Sequence, residues 1–260
     1  MNRFHCERTS GRILYAGDDD LDRAAVYLST ILLSDGHGLD YVPSAEPMPD
    51  RIVPSSYGLI ILSDYPAARL TPDQARAIAD AVQHGSSLLM IGGWESFSGQ
   101  NREYTSSPIA EVLPVHLADG DDRRNLAQGL VLIPDPAGAF AQGFPWHRPP
   151  IVGGFNEFRP KEGARNHLSG APLTIAGPSP VTARIEERRY PLLVTSPRGD
   201  GFSAALAFDL APHWVGGFVD WGNQRLTVES DGRAIEVGHL YAAFVRRLIS
   251  VCLRKGAEPL

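Results

Sequence analysis

The chain has 260 residues, 43% hydrophobic and 21% charged, which excludes intrinsic disorder and allows a substantial core. Two cysteines at opposite ends, Cys6 and Cys252, exclude a disulfide-stapled scaffold, and no apolar run approaches the roughly 20 residues that cross a bilayer. The net charge of −6 speaks against a general nucleic-acid binder, which needs a basic footprint.

The opening MNRFHCERTSGR has no apolar stretch, so no signal peptide is expected and the default location is the cytoplasm. RILYA, at 12–16, predicts a buried strand. Asp18, Asp19 and Asp20 follow, then a helix over 21–33 with Leu21, Ala24, Ala25, Leu28, Ile31 and Leu32 at helical spacing. A weaker strand is expected at 39–42 and a proline-rich loop over 43–54. GLIIL at 58–62 is the clearest strand. Thr71-Pro72-Asp73-Gln74 has the form of a capping box with proline at the first helical position, backed by Ala75, Ile78, Ala79 and Val82 and closed by Gly85. SLLMI at 87–91 is a fourth strand, running into Gly92-Gly93.

Strands alternating with helices imply parallel crossovers and a three-layer α/β domain. From about 115 to 190 the pattern changes to LVLIP, PPIVGGF and PLTIAG between prolines and glycines, which predicts antiparallel strands and long loops added to the parallel sheet. Segment 184–189, with mixed charge, reads as a solvated edge or loop. Segments 191–195 and 201–208 predict a hairpin returning to the main sheet. A helix over 238–254 closes the chain. Leu240, Tyr241, Phe244, Leu248, Val251 and Cys252 form its inner face, and Arg254 and Lys255 suit its negative end. The whole is read as one domain, 1–260, with a β-rich insertion.

Ligands bind parallel sheets outside the carboxyl ends of the strands. The polar groups at those ends are Asp18 and Asp19 after the first strand and Ser63, Asp64 and Tyr65 after the third. Trp94, Glu95 and Ser96 follow the fourth, and Asp209, His213 and Trp214 follow the late strand. Each also has a plain structural reading. Asp18 and Asp19 can cap the first helix, Asp64 can hold a turn before Pro66, Trp94 can pack, and His213 can be structural. Together they predict one acidic and aromatic rim. No P-loop, GxGxxG, GxSxG, HExxH or CxxC is present, so no cofactor is expected. Neither cysteine has the setting of an activated thiolate, and Cys252 reads as core.

YGLIILSDYPAARLTPDQARAIADAVQHGSSLLMIGGWESFSGQNREYTSSPIAEVLPV, with the later FDLAPHWVGGFVDW, resembles the glutamine amidotransferase-like proteins of the class I superfamily, relatives of the ThuA-like proteins. The resemblance covers 55–116 and 200–221 and implies a flavodoxin-like sheet. It also implies a Cys on the turn after the fourth strand, with a His and a Glu near the chain end. Here that turn is Gly92-Gly93-Trp94, and the His-x-Glu position falls near Phe208-Asp209-Leu210, with His213 displaced. Without a nucleophile no glutaminase activity is expected. Three readings remain. One is a module that binds a small polar metabolite, a sugar or an amine. A second is an enzyme using Glu95 and His213 as acid and base, or a metal held by Asp64, Glu95, Asp209 and His213. A third is a homo-oligomeric structural subunit built through the insertion.

Overall fold

A computed structural model describes residues 12–101 and 103–253. Cys6, Arg254 and Lys255 lie outside the described residues. In chain order the elements are β1 (Arg12–Gly17), α1 (Val26–Ser34), β2 (Gly38–Val42), β3 (Leu59–Ser63), α2 (Pro72–Gln83), β4 (Ser87–Ile91) and α3 (Pro108–Val112). The middle supplies β5 (Val115–His116), β6 (Arg123–Pro134), β7 (Ile151–Asn156), β8 (Arg159–Pro160), β9 (Arg165–Ala176) and β10 (Thr182–Ile185). The chain then forms β11 (Tyr190–Arg198), β12 (Gly201–Leu206), α4 (Pro212–Val215), β13 (Arg225–Ser230), β14 (Arg233–Gly238) and α5 (His239–Leu253).

The main sheet runs β2-β1-β3-β4-β12-β11-β9-β6-β7, with β10 hung on β9. Pairings from β2 through β12 are parallel, and those from β12 to β7 are antiparallel. The order 2-1-3-4 followed by one further parallel strand is the flavodoxin-like arrangement, in which consecutive crossovers put helices on both faces. β1, β3 and β4 are buried along nearly their whole length, as apolar runs without alternation require. α1 packs with α5, and α2 packs with α3.

The capping box forms: Thr71 Oγ1 accepts from Gln74 N at 3.2 Å, and Gln74 Oε1 accepts from Thr71 N at 3.0 Å. The first helix differs from expectation. It starts at Val26, and residues 21–25 make turns because the Asp20 carboxylate takes the Asp22 amide at 2.8 Å, a local bond that competes with helical winding. Its N-cap residue is Ala25, with no side-chain cap, so neither Asp18 nor Asp19 caps it. In the middle region the strands are longer than their apolar runs, since β6 and β9 each have 12 residues. β10 is exposed throughout, and segment 184–189 is exposed apart from partly buried Glu186, as its mixed charge anticipated. The hairpin β13–β14, packed against α1, has no counterpart in the sequence expectations. Cys252 is buried on α5, its thiol pushed up to about 12 by burial, as expected for core. No described helix is long and apolar enough to cross a membrane.

Candidate functional site

β1, β3, β4 and β12 are neighbours and run the same way, so their carboxyl ends form one rim. A cleft of about 640 Å³ opens there, within the range of ~300–1,000 Å³ typical of small-molecule sites. Asp18, Asp19, Asp64, Trp94, Glu95 and His213 line it. Ser96, Asp209 and Trp214 do not.

Asp18 follows β1 with φ 53 and is buried. Its Oδ2 accepts from the Tyr15 hydroxyl, while its buried Oδ1 has no hydrogen-bond partner among the described residues. Burial, then the charges of Asp209 and Asp64, hold its carboxyl well above the usual carboxylate range. Asp64, at φ 49 after β3, accepts the main-chain amide of Glu95 at 2.5 Å, and the Trp94 amide also faces its carboxyl. Burial still raises its carboxyl, with the Glu95 and Trp94 amides and His213 working against it. Glu95 is half-buried and raised by burial, then by the charges of Asp64 and Glu103. Asp209 stands just behind the cleft, 1% exposed. Its Oδ1 accepts the amides of Leu210 and Ala211 at 2.6 and 2.9 Å, and burial pushes it up to about 7. Its Oδ2 lies 3.1 Å from His213 Nε2. Asp209 thus meets the cleft through His213.

Trp94 is 55% exposed, with the Arg123 guanidinium 4.5 Å from its ring centroid. Ser96 is a brace: its hydroxyl donates to Ile91 O at 2.6 Å and accepts from Asp64 N at 3.0 Å. Trp214 turns away from the cleft. Its indole lies over Gly154 of β7 and donates to Asn125 Oδ1 at 2.7 Å.

The bend after β4 is built from residues that the sequence did not single out. β7 curls back so that Asn156 N donates to Ala207 O at 2.7 Å. The Asn156 side chain accepts Gly93 N at 3.0 Å, and donates to Gly93 O at 3.1 Å and to Asp122 Oδ1 at 2.8 Å. Buried Asp122 also accepts the amides of Ser98 and Gly99 and is pushed up to about 6 by burial. The pairing links residues more than 60 apart in sequence, which no local pattern reveals. A polar residue closing the apolar run PPIVGGF was the available signal.

A side chain on this bend has no room. A Cβ at Gly92 would stand 2.2 Å from Ala207 O, and one at Gly93 2.6 Å from Asp64 Cγ. Main-chain amides at such a bend are the groups that stabilise an oxyanion in acyl transfer, and here Asp64 occupies that of residue 95.

The profile of a family described as "putative glutamine amidotransferase" matches residues 50–229. The chain belongs to this family. The match extends through the middle strands, where the sequence resemblance was weakest. No curated protein matches the sequence. Among solved structures the chain is similar to the cytoplasmic protein STM3548 from Salmonella typhimurium, with TM-score 0.70 and 23% identity over 92% of this chain and 98% of that one. It is similar to the cytoplasmic protein STM1381 from Salmonella typhimurium LT2, with TM-score 0.70 and 25% identity over 93% and 99%. A ThuA-like protein from Parabacteroides merdae aligns over 75% of this chain and 78% of its own, with TM-score 0.49 and 15% identity. The cleft of this chain is lined by carboxylates and by the Trp94 indole. Among the described residues, no three of His, Cys, Asp and Glu come together in a group that can hold a metal ion.

Proposed function

We propose that this amidotransferase-like protein has no glutaminase activity and binds a small polar metabolite, a sugar or an amine, at the carboxyl rim of its sheet. One observation carries the reading. The bend after β4 has only hydrogen at 92 and 93, with Ala207, Asn156 and Asp64 filling the space of a side chain. A covalent thioester route has no starting atom there. What the rim retains is a cleft whose carboxylates accept hydrogen bonds and whose Trp94 offers a ring face. The cytoplasm is the setting we propose, in line with the description of the 25%-identical Salmonella protein.

The test has two arms. Pure protein incubated with glutamine releases no ammonia above the buffer rate, and measurable release overturns the assignment. Thermal-shift screening with sugars and amines gives stabilisation that Glu95→Gln and His213→Ala reduce while leaving the unliganded melting temperature within about 2 °C. If both variants unfold the protein, these residues are structural and the site is wrong.

A second reading, hydrolysis with Glu95 and His213 as acid and base, is favoured by the 3.1 Å contact between His213 and buried Asp209. An acid set beside an imidazole is the kind of pairing found behind a general acid–base histidine. Hydrolysis of a chromogenic ester or glycoside, lost in His213→Ala and unaffected by chelators, would favour it.

A further inference from the structure

We propose that β10 is the edge along which two copies of this chain join, strand to strand and antiparallel, about a two-fold axis at Ile185.

The β9–β10 ribbon has two unlike faces. Leu173 stands opposite Ile185 and Ile175 opposite Ala183, so strand alternation puts these four apolar side chains on one face and Thr174 and Arg184 on the other. Ile175 and Ile185 are 45% and 48% exposed, and Val181, just ahead of β10, is 65% exposed. Three of the six exposed large apolar side chains among the described residues therefore lie on this one ribbon. Single exposed apolar residues are ordinary, whereas a group of them marks a contact surface.

The backbone shows which side of the ribbon is open. Glu186 N donates to Pro172 O at 2.9 Å, so residues 182, 184 and 186 turn their main-chain groups toward β9, and residues 183 and 185 turn theirs away. On the far side of β9 such outward groups are capped: the Gln128 side chain accepts from Ile175 N at 2.8 Å and donates to Ile175 O at 2.9 Å. The outward groups of β10 have no such cap, since among the described residues this strand pairs only with β9. A row of unpaired amides and carbonyls is a template for another strand.

Charge selects a second copy as that strand. An axis at Ile185 pairs the open main-chain groups of Ile185 with those of the partner's Ile185. It also sets Arg184 against the partner's Glu186, and symmetry makes that ion pair twice. Both groups are available for it. Arg184 has no hydrogen-bond or ion-pair partner among the described residues, and Glu186 uses only Oε1, which accepts from Thr174 Oγ1 at 2.6 Å. An axis at Ala183 would use the same backbone groups but face Arg184 with threonine and form no ion pair. An axis at Arg184 would oppose two like charges and present main-chain groups already bonded to β9. The contact is one short strand wide, so the dimer is reversible and depends on concentration.

Sedimentation equilibrium of the full-length protein, from micromolar to near-millimolar, should show monomer and dimer in exchange. Ile185→Lys weakens association at least about tenfold. Its site is exposed, so the melting temperature of dilute protein stays within about 2 °C. Arg184→Glu, which sets like charges together twice, also weakens association, and Arg184→Glu with Glu186→Arg restores it to within about threefold of wild type. In a Cys6→Ser background, Ile185→Cys forms an intermolecular disulfide with oxidised glutathione, because paired Cα atoms ~5.5 Å apart suit that bond. Val181→Cys does not, since its two copies would lie eight residues out of step, roughly 26 Å apart at ~3.3 Å per residue. A chain that stays monomeric to the top of the range overturns the proposal. A dimer indifferent to Ile185→Lys uses another surface and overturns it too. A double swap that associates no better than Arg184→Glu alone, or a disulfide at 181 as ready as that at 185, refutes the axis.

Discussion

Gly93→Ala asks whether Asp64 is what forbids a side chain on the bend. The new Cβ would lie 2.6 Å from Asp64 Cγ and Oδ1 and 2.7 Å from its Cβ. Ordinary contact starts at 3.4 Å, so Asp64 must retreat by roughly 0.8 Å. That retreat strains the 2.5 Å bond from Glu95 N. Overpacking costs about 1–3 kcal/mol, and a lost bond to a charged acceptor about 1.5–3 kcal/mol. The expected loss is therefore about 3–5 kcal/mol, or a fall in melting temperature of roughly 10 °C for a chain of this length. Urea denaturation with a double-mutant cycle isolates the cause. Asp64 has φ 49, so Asp64→Gly is accommodated by the backbone and removes the obstructing atoms. In that background Gly93→Ala should cost at least about 2 kcal/mol less than in wild type. An alanine costing under about 1 kcal/mol in wild type, or the same amount in both backgrounds, would refute the reasoning.

Three further outcomes follow from the same geometry. Asp209 is raised to about 7 from 3.8 when folded, so the folded state holds a proton that the unfolded chain has released. Its contribution is full below pH ~4 and is lost as pH rises through ~7, by at most about 4 kcal/mol. Asp209→Asn should shrink the drop in stability between pH 5 and pH 8, and an unchanged drop in denaturation curves counts against the assignment. Asn156→Ala strands Gly93 N, Gly93 O and one bond of Asp122 together, and should cost about 3 kcal/mol or more by urea midpoint. A loss below about 1 kcal/mol means that the bend is held by other contacts. Trp214→Ala removes the indole lying over Gly154, so it lowers the melting temperature while leaving ligand affinity in the cleft within about twofold. A larger affinity loss would put Trp214 back in the site.

The sequence by itself determined the parallel half of the fold and most of the rim. β1, β3 and β4 are short apolar runs that can only be buried strands, and a parallel sheet places their following residues on one edge whatever the details. That is why Asp18, Asp64, Trp94 and Glu95 group together on sequence grounds alone. Local signals also carried α2, because a capping box acts over four residues. They misjudged α1, where an aspartate turn competes with winding, and did not register β13–β14.

Tertiary structure alone decided what the rim residues do. It turned Trp214 toward β7, made Ser96 a brace and placed Asp209 behind His213. It also brought Asn156 and Asp122 under Gly93 through a curled antiparallel edge. These outcomes depend on contacts between distant segments and on which way a side chain turns at a strand end. Periodicity fixes the face of an element that is buried, but it has no information about which remote strand will curl over to meet it.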